Sequence, residues 1–305
     1  ANSARLDSFI AHKQNLGYDV RVITEADFGS LNGEFPNHKA EKIRQWLKNN
    51  YISLGIKYVL LIGNPSTCDS FTGEGDIPMK MCWPNKIGGK PADSTPTDSY
   101  YSDLSGDWDL DDDGMHGELD DDWGPAGGVE FAPEVIVGRI PVYNADYSSL
   151  DSILQKMIDY ESDSQREWRK NALLPMSFVA EAIDGAVLAE RIKDDLLVTN
   201  GYGYWRVYQQ GSGKCCTYSR YFSDQDLRAD TSTRDHWASN PYGIVCWVGH
   251  GGDVVAQVGW YSATKDCVDG WFFQSDYCSR LNDDRPSFTF QGSCNNGYPE
   301  NSNNL

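Results

Sequence analysis

Short apolar runs rich in β-branched and aromatic residues recur along the chain, and segments with helical spacing separate them. Residues 58–63, Tyr-Val-Leu-Leu-Ile-Gly, are continuously apolar, the pattern of a strand buried in a parallel sheet. Residues 135–141, 173–180, 204–208, 244–248 and 288–290 read as further strands. Helical spacing is carried by Leu6, Phe9, Ile10 and Lys13 ahead of a capping Gly17, and by Ile43, Trp46 and Leu47. Residues 148–161 and 186–198 add two more helices, and 18–23 alternates like a strand. Repeated β–α alternation points to an α/β fold with helices on both faces of a mostly parallel sheet.

Residues 64–132 break this rhythm with Gly, Pro, Asp and Ser and no sustained period, and read as a long ordered excursion. The polar stretch 162–170 marks a boundary between two subdomains, 1–165 and 166–305. A chain of 305 residues is long enough to bury a core in each.

A formal net charge of −19 argues against a nucleic-acid partner, because phosphate binding needs a positive face. No apolar run is long enough to span a bilayer. The chain opens on Ala1-Asn2-Ser3 rather than on a basic and then apolar leader, as a mature chain would. Cysteines stand at 68, 82, 215, 216, 246, 267, 278 and 294, without the spacing of a zinc site. In an oxidising compartment Cys68 with Cys82, and Cys267 with Cys278, are placed to close local loops.

Two of the apolar runs end on reactive residue types. One leads into Gly249-His250-Gly251-Gly252, the other into Gly292-Ser293-Cys294-Asn295-Asn296-Gly297. Ligand sites in open α/β sheets form at the carboxyl ends of the strands, so neighbouring parallel strands ending this way bring imidazole and thiol together. A thiolate is a nucleophile, and a nearby histidine takes its proton or pairs with it as a cation. Gly251, lacking a side chain, and Cys294 can offer main-chain N–H groups to the oxyanion of a tetrahedral intermediate. Either motif alone is more economically a tight loop or a small buried thiol; their conjunction points to catalysis.

A strand ending in His-Gly paired with a strand ending in Cys resembles the caspase-like cysteine peptidases, and among them the gingipain family. Further blocks follow the family's order: residues 58–63, Thr97-Asp98-Ser99-Tyr100-Tyr101, Val137-Gly138-Arg139-Ile140-Pro141-Val142, Val248-Gly249-His250-Gly251 and Cys294-Asn295-Asn296-Gly297. The resemblance implies a three-layer α/β/α caspase-like fold in two subdomains, with catalysis in the second. It implies Cys294 as nucleophile and His250 as acid/base. It also places Glu181 where an acidic residue orients the histidine, and Asp184 where arginine-cleaving members pair with the substrate's basic side chain. Asp184 reads equally well as a helix N-cap. The aromatics Trp260, Tyr261, Trp271, Phe272 and Phe273 fit either a packed loop or a cleft wall.

Between Asp103 and Asp122 stand ten carboxylates and no Lys or Arg. Within this run Asp109, Asp111 and Asp113 occupy positions 1, 3 and 5 of an EF-hand-type loop, followed by Gly114, the Met115 carbonyl at position 7 and Asp120 at position 12. Hard oxygen ligands favour calcium, as a structural ion. A solvated acidic surface is the bland alternative, with Asp107, Asp112, Glu118, Asp121 and Asp122 as further ligand choices.

The expectation is a calcium-stabilised cysteine endopeptidase, secreted or at the cell surface, cleaving protein or peptide substrates after Arg or Lys. A sortase-like transpeptidase of the same family and a non-catalytic calcium-binding surface module are the alternatives. The chain begins at a helix where the family carries a strand, and stops eleven residues after Cys294. It therefore reads as C-terminally truncated, completed by a missing C-terminal segment or a processed partner chain.

Overall fold

The computed structural model describes residues 4–68, 73–87, 90–92, 94–123, 126–130, 132–211, 218–259, 270–299 and 302–305. They form two compact units, Ala1–Leu154 with Pro299–Ser302 and Gln155–Tyr298 with Asn303–Leu305.

The first unit opens on α1 (Leu6–Asn15). Gly17, with φ 93°, ends it, and the N–H of Tyr18 closes back on the Lys13 carbonyl at 3.2 Å. The strand expected over 18–23 is not formed. Its alternating side chains find no ladder among the described residues, Val22 stays 56% exposed, and the Tyr18 ring packs edge-on against Tyr58 instead. Helix α2 (Lys39–Leu54) is capped at its start by the Glu41 carboxylate, which accepts the His38 N–H at 2.7 Å, and at its end by left-handed Gly55. Its inward face buries Ile43 and Leu47 in one cluster with Leu61, worth about 1.5–3 kcal/mol per side chain. Strand β1 (Tyr58–Gly63) pairs in parallel with β2 (Ile136–Pro141), Tyr58 opposite Ile136. Leu61 packs into the core cluster on one face; on the other face Ile140 is buried while Tyr58 and Ile136, at the strand starts, are exposed, so that face is covered only towards its carboxyl end.

The excursion between β1 and β2 is held by side chains more than by ladders. Residues Lys80–Cys82 pair antiparallel with Thr95–Thr97. Two family-like blocks meet here, because Arg139 grips both oxygens of Asp98 at 2.7 Å and also donates to the Ile77 carbonyl. Tyr100 and Tyr101 are fully buried beside it, and Arg44 reaches across to the carbonyls of Asp103 and Gly106. The Cys82 thiol donates to the Thr95 carbonyl at 3.1 Å and forms no disulfide, so the Cys68–Cys82 loop closure is absent. Cys278 is likewise a thiol, and Cys215, Cys216 and Cys267 lie outside the described residues.

Helix α3 (Tyr147–Ser162) contains the passage to the second unit. Strand β3 (Asn171–Met176) is followed by the tight hairpin of β4 (Phe178–Ala180) and β5 (Ile183–Asp184), then helix α4 (Ala186–Ile192) and β6 (Gly203–Tyr208). Next come β7 (Gln225–Asp226), helix α5 (Ser232–Ser239) and β8 (Ile244–Val248). A small antiparallel sheet follows, β9 (His250–Gly252), β10 (Val255–Val258) and β11 (Gly270–Gln274), before the last strand, β12 (Phe288–Gly292).

Among the described residues the main sheet has the order β7-β6-β3-β8-β12, all parallel. Strand alternation divides its side chains between two cores. Ala172, Leu174, Met176, Tyr208 and Cys246 face α4 through Ala186 and Ala189. Leu173, Val207, Val245 and Trp247 face α5 and the small sheet, through Trp237, Ala256 and Phe272. The unit is thus an α/β fold with packing layers on both sheet faces.

Candidate active site

The order β6-β3-β8 places β6 on one side of β3 and β8 on the other, a topological switch point. The crevice beyond the carboxyl ends of such strands is where open α/β sheets bind ligands. There β8 and β12 run side by side, with Val248 opposite Gly292. The Gly249 N–H continues the ladder to the Gly292 carbonyl at 3.1 Å. His250 and Cys294 each lie two residues beyond that last pair, so the expected juxtaposition of the two strand ends is present. Gly251 makes it close: a Cβ there would lie 2.8 Å from the Cys294 carbonyl oxygen and 2.9 Å from the Ser293 Cβ.

His250 is half-buried and its Nε2 lies 3.0 Å from the Val179 carbonyl. A carbonyl only accepts, so Nε2 carries the hydrogen and Nδ1 carries the lone pair of the neutral ring. The orienting group is therefore a main-chain oxygen. Glu181, expected in that role, sits two residues further on, exposed at the tip of the β4–β5 turn, with no hydrogen bond or ion pair among the described residues. The contact that the hairpin makes with the imidazole is that of the Val179 strand carbonyl.

Asp184 is half-buried and engaged. One carboxylate oxygen accepts the Ala186 N–H at 2.9 Å, at the first turn of α4, and the other accepts the Ser219 hydroxyl at 2.7 Å. The N-cap of α4 is Gly185, so the Ala186 contact is a bond from Asp184 to the second residue along the chain, just ahead of the helix. The aromatics divide as well. Phe272 and Phe273 are core, with Phe272 edge-on to Trp247, whereas Trp271 is 47% exposed. Trp260 and Tyr261 lie outside the described residues.

Cys294 is exposed, whereas Cys82 and Cys246 are buried. Burial pushes the Cys82 thiol up to about 11 and raises that of Cys246, so both are poor sources of thiolate.

In the first unit the carboxylates of Asp109, Asp111 and Asp113 converge, with ligand oxygens within 4.8 Å of one another. The loop curls as its glycine allows: Gly114, φ 87°, donates its N–H to Asp109 at 3.0 Å, and the Met115 N–H donates to Asp113 at 2.7 Å. Asp120 does not join them. It is exposed in a left-handed turn, and the gathered group comprises the other three. Asp122, fully buried, staples the loop through the N–H groups of Leu110 and Glu118. Glu118 was only one of several alternatives in the sequence, yet its side chain is 2% exposed and its Oε2 has no hydrogen-bond partner. Burial, then the charges of Asp113 and Asp111, push its carboxyl up to about 7. No sequence period marked it, because its burial comes from the fold of the loop.

Comparison with known proteins agrees with this architecture. The profile of peptidase family C25 matches residues 2–304. The Arg-specific cysteine proteinase gingipain R superposes with a TM-score of 0.59 at 19% identity, over 97% of this chain and 52% of that one. A complex of the pro- and mature domains of RgpB from Porphyromonas gingivalis gives 0.58 at 18% identity, over 96% and 53%. This chain thus spans about half the length of the solved structures it matches. At these identities the likeness is one of fold. No curated protein sequence matches significantly. With its profile matched from end to end and its fold that of gingipain R, the chain belongs to peptidase family C25.

Proposed function

We propose that this chain carries the catalytic centre of a secreted cysteine endopeptidase, with Cys294 as nucleophile and His250 as acid/base. The observation that carries the reading is the register of β8 and β12, adjacent parallel strands whose last pair, Val248 and Gly292, leaves His250 and Cys294 each two residues further on. Nδ1 of His250 takes the thiol proton, and the thiolate attacks the scissile carbonyl. The N–H groups of Gly251 and Cys294 receive the oxyanion, His250 protonates the leaving amine, and water then resolves the acyl-enzyme. The relative gingipain R is Arg-specific, which supports a basic residue before the scissile bond here. A pro-domain, as in the RgpB complex, is the partner this reading adds to the peptide substrate.

The test is iodoacetamide or an arginyl acyloxymethylketone, with adducts mapped by mass spectrometry. Rapid labelling at Cys294 that slows in His250→Ala is expected. Equal labelling in both would remove the dyad, and cleavage of a peptide library without enrichment of Arg or Lys would remove the basic preference.

Calcium belongs to the same proposal. The three converged carboxylates of Asp109, Asp111 and Asp113 form an all-oxygen set suited to calcium, which relieves their mutual repulsion. The melting temperature is expected to rise with added calcium and fall with chelator. No shift in either direction, or an unchanged shift in Asp111→Asn/Asp113→Asn, would refute the site.

A further inference from the structure

We infer that Asn296 is a positioning residue which clamps the nucleophile loop to the hairpin carrying His250 and Gly251; the inference rests on the dyad proposed above. The loop after β12 bends sharply, with Asn295 at φ 58° and Gly297 at φ 68°, both left-handed. That bend turns the Asn296 side chain back over the β9–β10 turn. Its Nδ2 donates to the Gly252 carbonyl at 2.7 Å and to the Val255 carbonyl at 3.1 Å. Its Oδ1 accepts the Ser293 hydroxyl, and the Ser293 oxygen in turn accepts the Trp247 indole N–H at 3.0 Å.

Each member of this chain has one consistent role. Indole N–H only donates, so Ser293 Oγ accepts there and gives its own hydrogen to Oδ1. The two carbonyls only accept, which fixes the amide with its nitrogen towards them. The network therefore joins three pieces: β8 through Trp247, the nucleophile loop through Ser293 and Asn296, and the β9–β10 turn through Gly252 and Val255. Trp247 is 1% exposed and anchored in the core, so the chain starts from a rigid point. Cys294 lies between the two loop residues that the network holds, and His250 and Gly251 lie directly before the turn it grips. Asn296 touches neither substrate nor the reacting atoms. It sets the separation of thiol and imidazole, which a catalytic dyad needs held to fractions of an ångström.

The experiment measures the pH dependence of Cys294 alkylation by iodoacetamide, with kcat and KM on a peptide substrate, for the whole chain. Asn296→Ala should move the alkylation inflection from its wild-type position and lower kcat about 10- to 100-fold, with KM changed less than about threefold. Ser293→Ala, which leaves the Asn296 donors in place, should give a smaller shift in the same direction. Ser287→Ala is the control. It removes a comparable link elsewhere in the unit, from the Trp237 indole N–H to the Tyr242 carbonyl, and should leave the inflection in place. A wild-type inflection and kcat in Asn296→Ala, or an equal shift in Ser287→Ala, overturns the inference. If His250→Ala moves the inflection while Asn296→Ala does not, only the clamp fails. If His250→Ala also leaves it unmoved, the dyad fails with it.

Discussion

Gly251 and Gly252 are adjacent in one strand, yet the structure assigns them opposite tolerances. A methyl group at Gly251 would lie 2.8 Å from the Cys294 carbonyl oxygen, 2.9 Å from the Ser293 Cβ and 3.1 Å from the Val255 carbonyl oxygen. Each contact is roughly 0.5 Å or more inside ordinary van der Waals separation. None of these atoms is the free end of a flexible chain, so the nucleophile loop must move. Overpacking of this kind costs about 1–3 kcal/mol, or about 2–12 °C of melting temperature for a unit of this size. A displacement of ~0.5–1 Å at the nucleophile slows the chemistry about 10- to 100-fold. At Gly252 the same methyl meets only the Val255 Cγ2, at 3.6 Å. Gly252→Ala should therefore be neutral or stabilising by up to about 1 kcal/mol, through the unfolded chain. Thermal melting by circular dichroism and the rate of Cys294 alkylation read both effects. If Gly251→Ala melts and labels like Gly252→Ala, the packing of β9 against the nucleophile loop is refuted, and the role of Gly251 with it.

Arg139 is buried, and its fork on Asp98 ties the excursion to β2. Arg139→Met should cost about 3–5 kcal/mol by stranding the carboxylate and the Ile77 carbonyl, against about 1–2 kcal/mol for Asp98→Asn, compared by urea denaturation; equal, negligible losses would deny the tie. His236 stacks on Trp205 and its Nε2 meets the Tyr242 hydroxyl at 2.6 Å; burial lowers its pKa below the usual 6.5. The unfolded chain then binds the proton first, so this contribution is present above pH 6.5 and lost as pH falls through the lower folded value. His236→Gln should flatten that part of the stability profile, and an unchanged slope would deny the assignment.

Much of the fold was legible because its signals are local. The β–α alternation, the cap at Gly17, and strands ending on Gly249-His250 and Ser293-Cys294 depend on neighbours a few residues away. The pairing of β8 with β12 followed, since two apolar strands of a parallel sheet had to present their ends at one edge. Residues 18–23 show the limit of such signals: alternation makes a strand only where a partner lies alongside.

What tertiary structure decided was which group each site residue meets. Val179 and His250 stand 71 residues apart, and the carbonyl's claim on Nε2 comes from the β4–β5 hairpin packing, which no carboxylate spacing encodes. Asp184 turned to its own helix and to Ser219, 35 residues away. Asp109, Asp111 and Asp113 came together while Asp120 stayed exposed and Glu118 was buried, because loop curvature rather than position number sets reach. Asn296 sat in a recognisable block, but its partners Gly252 and Val255 are 44 and 41 residues earlier. The sequence by itself determined the class of fold and singled out His250 and Cys294 as the candidate pair, through short-range periodicity and chemistry. Their orientation arises from contacts between distant segments, and those exist only once the chain is packed.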